Sequence, residues 1–226
     1  IVLFPILNKV LVTKFFKLQL LRSTFLFFAT YFFFTSLKYL QLVQVNAIFQ
    51  VAPIFVTLLS AFVLKEYINI KRWGGVIIGM LGALLIIRPG SEVFSINIIL
   101  PAIAALCYAS YVISTRFLSQ EESATTNFIY SSLIGSILAS ILVIPSWISI
   151  DPTDIFVFSG FGLLGALGHL FLINAFRMSE ASFLAPFNYL NLVFGTIWGF
   201  YIFDEIPGFF TITGSLVIVS SGIYIW

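Results

Sequence analysis

Residues 46–89 decide the fold. They read NAIFQVAPIFVTLLSAFVLKEYINIKRWGGVIIGMLGALLIIRP, which is two apolar blocks joined by the charged segment KEYINIKR. A helix needs roughly 20 apolar residues to cross the hydrocarbon core of a bilayer, and both blocks approach that length. The stretch therefore predicts two membrane helices with a short polar connection.

The rest of the chain has the same character. Of its 226 residues, 60% are hydrophobic and 9% are charged, and the mean hydropathy is +1.10. An ordinary soluble domain carries about 25% charged residues, because water must solvate most of its surface. The composition excludes a soluble globular protein and predicts an all-α membrane protein with several spans.

Blocks of suitable length lie between charged or Pro/Gly breaks, and they predict eight complete transmembrane helices. Numbered from one to eight, the predicted spans cover residues 20–37, 43–64, 73–87, 96–117, 127–147, 155–176, 183–203 and 209–226. Residues 1–12 are too short to cross a bilayer alone. We expect them to be the end of a partial helix in a truncated sequence.

Several kinds of chemistry lack the residues that they need. One cysteine cannot form a disulfide within the chain, and one histidine cannot build a multi-histidine metal site. No Walker A loop, zinc motif or dinucleotide fingerprint occurs. For these reasons we expect no cofactor and no metal. The basic residues are dispersed between apolar blocks, so we also expect no nucleic-acid partner. The sequence leaves the oligomeric state open.

The sequence matches itself at an offset of 139 residues. Basic, acidic and glycine residues coincide in this register, in the pairs Lys38 and Arg177, Glu66 and Glu205, and Gly75 and Gly214. The matched segments indicate a unit of five helices, and two consecutive copies of an odd unit enter the membrane in opposite orientations. The sequence predicts an inverted repeat with a truncated first half at residues 1–90 and a second half at residues 91–226.

These motifs are similar to those of one family. Residues 46–89, with a proline, a terminal glutamate and a glycine-rich helix, resemble the signature half of the EamA-type drug/metabolite transporters. Residues 180–226 resemble the corresponding ninth and tenth helices, and APFNYLNL and FDEIP are most similar to the branch of S-adenosylmethionine and riboflavin uptake carriers. The resemblance implies ten helices in a complete protein, a small organic solute and a multi-pass location in a bacterial inner membrane.

Polar residues follow one face of span two. Asn46, Gln50, Pro53, Thr57 and Ser60 recur at helical spacing, and unsatisfied amides are too costly to face lipid. Asn46 and Gln50 are therefore candidates to line a solute cavity, with interhelical hydrogen bonding as the alternative. Pro53 frees a backbone carbonyl and either kinks the helix or offers an acceptor.

Spans four and seven supply the other candidate solute contacts. Asn188, Tyr189 and Asn191 lie in span seven, while Tyr108 and Tyr111 share one side of span four. Aromatic rings with a hydroxyl suit a planar or cationic solute through stacking and cation–π contact, although they also suit core packing. Pro186 is expected in the first turn of span seven, where a missing N–H costs little.

Small residues predict where helices approach closely. The segments GVIIG (75–79) and GLLGALG (162–168) and the row Ser132, Ser136 and Ser140 have the pattern that allows close backbone contact in membranes. We expect all three to be packing surfaces.

His169 is the one mid-span residue that can change charge near neutral pH, since every carboxylate lies in a loop or at a helix end. It is a possible proton switch or a buried neutral histidine. The predicted function is a secondary transporter that moves a small organic metabolite by alternating access, and not an enzyme. The alternatives are an integral membrane enzyme acting on lipid and a non-transporting membrane assembly subunit.

The basic residues predict the orientation. Nine of the 11 lie before span one, in its first turn (Arg22), in the last turn of span four (Arg116), or after spans two and six. The segments before span one and after spans two, four and six are therefore expected to be cytoplasmic. In a Cys107→Ala background, an impermeant thiol reagent applied to intact cells should label Asp154→Cys and not Lys71→Cys. Labelling at 71 and not at 154 would reverse the assigned orientation.

Overall fold

A computed structural model describes residues 11–40, 42–87, 96–147, 151–203 and 206–225. Within these ranges the chain forms α-helices and short 3₁₀ segments and no β-strand. The prediction of an all-α protein is confirmed.

Ten α-helices are described. They are α1 (Phe16–Ser36), α2 (Leu42–Phe49), α3 (Ala52–Val63), α4 (Ile70–Ile87), α5 (Ile99–Glu121), α6 (Ala124–Val143), α7 (Asp154–Met178), α8 (Ala181–Leu184), α9 (Leu190–Phe203) and α10 (Phe209–Ile225). The 3₁₀ segments are Ile96–Ile98, Ile144–Ser146 and Ala185–Tyr189.

Each of the eight predicted spans coincides with helical structure. Among the described residues, α1, α5, α6 and α7 are long and apolar enough to cross a membrane, and α3 and α10 are shorter apolar helices. Predicted spans two and seven differ from expectation because each is interrupted. Span two is divided into α2 and α3, and span seven into α8, a 3₁₀ segment and α9.

Proline lies just after each interruption. Pro53 occupies the first turn of α3, where its missing N–H leaves no helical hydrogen bond unmade, and its carbonyl accepts from the Thr57 hydroxyl at 2.8 Å. Pro186 lies in the first turn of the 3₁₀ segment that follows α8. Pro186 was expected in a first turn, where its missing N–H costs little, and it occupies the first turn of this 3₁₀ segment, although the short helix α8 precedes it.

The chain forms two compact units. Unit 1 contains Ile1–Phe27 and Ser114–Ser179, and unit 2 contains Phe28–Ile113 and Glu180–Trp226. Each unit therefore takes residues from both predicted sequence halves.

The core of unit 2 forms where α4 packs against α10. A methyl group built on Gly82 would lie 2.9 Å from the carbonyl oxygen of Gly214, and one built on Gly214 would lie 2.7 Å from the carbonyl oxygen of Gly82. Buried Ala83 and Ile218 continue this contact. Only glycine permits such an approach of two backbones, which is how dispersion forces hold helices together in lipid.

The packing prediction for the glycines is partly confirmed. Gly79 lies directly under the Tyr189 ring, in agreement with it. In contrast, no described atom lies within 4 Å of a methyl group built on Gly162, Gly165 or Gly168. The expected close packing at GLLGALG was wrong because no described side chain or backbone approaches these glycines to contact distance.

The three serines were also expected to pack closely. Ser132, Ser136 and Ser140 are instead exposed on α6. The spacing places them on one face, as predicted, but no close helix contact forms there.

The α4–α10 contact predicts a sharp difference between glycines. Gly82→Ala should lower the free energy of unfolding by about 1–3 kcal/mol, because the new methyl group meets a backbone oxygen that cannot rotate away. Gly160→Ala is the matched control, since the space around it is open. Thermal unfolding of the purified protein in detergent measures both, and equal melting temperatures would contradict the packing account.

Candidate functional site

A cluster of aromatic and amide groups lies in unit 2. The Tyr108 hydroxyl donates to Oδ1 of Asn188 at 3.1 Å, and the amide nitrogen of Asn188 donates to the Ala185 carbonyl at 3.2 Å. The centroid of the Tyr108 ring lies 5.6 Å from that of Phe49 and 6.1 Å from that of Tyr111. We call Phe49, Tyr108, Tyr111 and Asn188 the aromatic site.

The aromatic site lies beside irregular backbone. Asn188 belongs to the 3₁₀ segment that interrupts span seven, and Phe49 is the last residue of α2, where span two is interrupted. Tyr108 and Asn188 are half-buried. Rings and a fixed amide in this arrangement can stack on a flat solute and exchange hydrogen bonds with its edge.

The remaining predicted contacts of spans two and seven are in different environments. Gln50 is 6% exposed at the break between α2 and α3, Asn46 is half-buried one turn earlier, and Asn191 is exposed on α9. Tyr189 is completely buried in the core of unit 2, where its ring packs on Gly79. The structure brings Tyr108, Tyr111 and Asn188 together, and a solute contact at all seven predicted positions stays a prediction.

His169 lies in unit 1 at the wall of a cavity of about 390 Å³ that is widely open on one side. The centroid of its ring is 5.9 Å from that of Phe128. The walls come from α1, α6 and α7, and they consist of Leu26, Phe128, Ser131, Ser132, Gly135, Ser136, Gly162, Gly165, Ala166 and His169. We call this the serine cavity.

Arg22 is completely buried in unit 1, although the sequence analysis grouped it with the cytoplasmic charges before span one. It lies within α1 and donates to the Thr115 hydroxyl at 3.2 Å, to the Ser131 hydroxyl at 2.5 Å and to the carbonyl of Asn127. The helical spacing of Gln19, Arg22 and Ser23 was the signal that these polar residues share a face.

Glu66 caps a helix of the other sequence half. Its carboxylate accepts from the backbone N–H groups of Ala181 and Ser182, both at 3.0 Å, and from the Ser182 hydroxyl at 2.8 Å. These are the first two residues of α8, whose N–H groups have no partner within the helix. Its repeat counterpart Glu205 lies outside the described residues.

The backbone before Glu66 places the carboxylate there. Lys65 adopts a left-handed conformation with a φ of 56°, and the N–H of Glu66 donates back to the Ser60 carbonyl at 3.2 Å. Beside it, Arg72 forms an ion pair with Glu180 and donates to the Ser182 hydroxyl at 2.9 Å.

The sequence matches the EamA-like transporter family over residues 1–88 and 95–226. The chain belongs to this family. The resemblance noted in the sequence is thereby confirmed, and the alternative of a membrane enzyme acting on lipid is excluded, because the EamA family and its relatives are transporters.

Curated relatives of this EamA chain include carriers of several solutes. An S-adenosylmethionine uptake transporter of Rickettsia prowazekii is 25% identical, and the match covers 92% of this chain and 70% of the relative. A riboflavin transporter of Vibrio cholerae is 28% identical over 79% of this chain and 60% of its own length. A pseudopaline exporter of Pseudomonas aeruginosa is 26% identical over 83% and 66%.

A solved crystal structure shares the fold. It superposes with a TM-score of 0.83 at 15% sequence identity, covering 94% of this chain and 78% of that one. Among the curated relatives, the chain spans less than two thirds of the Vibrio riboflavin transporter and 59% of the S-adenosylmethionine uptake transporter of Rickettsia conorii.

The Glu66 cap predicts a loss of stability in the EamA chain. Glu66→Gln removes the charge and one acceptor from the start of α8, and should lower the free energy of unfolding by about 1–3 kcal/mol. Glu121→Gln, at an exposed carboxylate on α5, is the control and should change little. Thermal unfolding measures both variants. A Glu66→Gln protein as stable as the control would show that the cap does not stabilise α8.

Proposed function

We propose that this chain carries a small organic metabolite across a bacterial inner membrane by alternating access, and that the aromatic site contacts the solute. The observation that carries the proposal is the hydrogen bond between Tyr108 and Asn188, made beside an interrupted helix. Discontinuous membrane helices supply the binding groups of many secondary transporters, because their unwound backbone must line a cavity or be covered by protein.

The positions of the interruptions support the inverted repeat. Span two breaks at Gln50 and Val51, and the 3₁₀ segment of span seven ends at Tyr189, before α9 begins at Leu190. Gln50 and Tyr189 are equivalent in the 139-residue register. We propose that eight helical segments cross the membrane as two related sets, and that both sets are interrupted at the same depth.

Contacts within each unit support the proposed orientation. In unit 1, the Gln120 amide donates to the Arg177 carbonyl at 2.9 Å, which joins the segments after spans four and six. In unit 2, Glu66 and Ser182 join the segments after spans two and six. Every one of these segments is cytoplasmic in the orientation that the basic residues predict.

The chemistry of the aromatic site favours a solute with a flat ring system. Its rings offer π-faces, and Asn188 offers an amide that can pair with the edge of a heterocycle. S-adenosylmethionine and riboflavin, named for the relatives, both contain such rings, so we propose a planar heteroaromatic metabolite. His169 remains a possible proton switch, and exchange of solutes needs no titrating residue.

The proposal is tested by transport in membrane vesicles containing the full-length protein, with S-adenosylmethionine and riboflavin as probes. Tyr108→Phe removes the hydrogen bond to Asn188 and should raise the KM of a transported probe about fivefold, equivalent to roughly 1 kcal/mol. Tyr201→Phe, on an exposed tyrosine of α9, should leave KM unchanged. Equal KM values for both variants and the wild type would remove the aromatic site from solute binding.

A further inference from the structure

We infer that the serine cavity of unit 1 is a second solute site, and that it binds the anionic group, a carboxylate, of a small organic solute. The inference goes beyond the aromatic site, which belongs to unit 2 and carries no formal charge. It rests on the proposed transport function in one respect: the solute that binds in the serine cavity is the solute that the protein transports.

The depth of the cavity is the first reason. Leu26, Ser132 and Ala166 lie close to the middle of α1, α6 and α7, and all three line the cavity. Three helices long enough to span a membrane therefore meet around polar groups at mid-span. Hydroxyls at that depth are costly unless protein groups, water or a solute form hydrogen bonds with them, and serines at the open wall of a cavity can meet a solute.

The glycines are the second reason. A methyl group built on Gly135, Gly162 or Gly165 would meet no described atom within 4 Å, so open space lies beside each of them among the described residues. They leave the cavity about 390 Å³ in volume and give a solute access to the backbone of α6 and α7. This space is in the size range of small-molecule sites.

The charge of Arg22 is the third reason. Its guanidinium donates to Ser131 Oγ at 2.5 Å, and Ser131 is part of the cavity wall. Because the serine oxygen accepts from the cation, its own hydrogen is directed to another acceptor, and the hydroxyl becomes a stronger donor. The buried Arg22 guanidinium thus lies directly behind the wall residue Ser131 and gives the cavity wall a positive potential. This potential is stronger in the low dielectric of the protein interior than it would be in water.

Glu122 is linked to the hydrogen bonds around Arg22 through Gln19, and its carboxylate is already engaged by donors. Glu122 accepts from the Thr13 hydroxyl, from the backbone N–H of Lys14 at 3.1 Å and from the Gln19 amide at 2.6 Å. Gln19 also donates to the side-chain oxygen of Asn127 at 2.6 Å. The Gln19 amide therefore links Glu122 to Asn127, whose backbone carbonyl accepts from Arg22. The hydroxyls of Ser131, Ser132 and Ser136 can therefore present donors to a carboxylate beside a cationic wall.

Thiol labelling tests the sign of the charge without needing a known solute. Ser132→Cys is made in the full-length protein with Cys107→Ala, and membranes are treated with sulfonatoethyl or trimethylammonioethyl methanethiosulfonate. We expect the anionic reagent to react about tenfold faster than the cationic one, relative to their rates with a free thiol. Ser140→Cys, two turns further along the same exposed row, is the control and should show no preference.

Arg22 variants identify the source of the preference. Arg22→Gln should abolish it, and Arg22→Lys, which keeps the charge, should retain it. A preference for the cationic reagent at position 132, or the same ratio of anionic to cationic rates at positions 132 and 140, would overturn the proposal. No reaction of either reagent at position 132 would also overturn it, because a lipid-filled groove excludes both ions. These results do not depend on transport, so they stay separate from a failure of the proposed function.

Filling the cavity tests its use during transport. Gly165→Leu places a side chain in the open space and should reduce probe uptake at least about tenfold, by blocking the site. Gly168→Leu, on the same helix and equally open but outside the cavity lining, should transport normally. Normal transport by both variants, with folding shown by unchanged melting temperatures, would exclude the cavity from the solute path.

Discussion

The hydrocarbon of a bilayer offers no hydrogen bonds, and this constraint explains the main features of the chain. Every interruption of a membrane helix exposes peptide groups that the protein itself must satisfy. The first N–H groups of α8, from Ala181 and Ser182, bind the Glu66 carboxylate. The 3₁₀ segment that follows α8 carries Asn188, whose amide oxygen accepts from the Tyr108 hydroxyl.

The same constraint governs the buried cation of unit 1. Taking a guanidinium out of water costs several kcal/mol unless its donors are paired, and Arg22 pairs with Thr115, Asn127 and Ser131. These partners lie on α5 and α6, so the cation connects three helices through short polar contacts. A buried arginine in a chain with so few charges points to a role beyond packing, because apolar side chains would pack at lower cost.

Hydropathy is a local property, and for that reason the sequence predicted the helical segments well. The Glu66 cap and the burial of Arg22 depend on partners about 100 residues away, which no local pattern contains. The glycines show the limit most clearly. Similar spacing gives backbone contact at Gly82 and open space at Gly165, because spacing defines a face but not what lies against it. At the aromatic site, the sequence identified Tyr108, Tyr111 and Asn188 but missed Phe49.

In the proposed function, different residues determine the fold and the solute. The contact of Gly82 with Gly214 and the burial of Tyr189 depend on shape, and neither uses the hydroxyl or amide chemistry of the aromatic site. Side chains at Tyr108 and Asn188 can therefore change without loss of the helix packing. This separation accounts for a shared fold at 15% identity, and for relatives named for chemically different solutes within one family. In the proposed function, selectivity is a difference in affinity at a few half-buried side chains, on a scaffold whose helices pack at glycines.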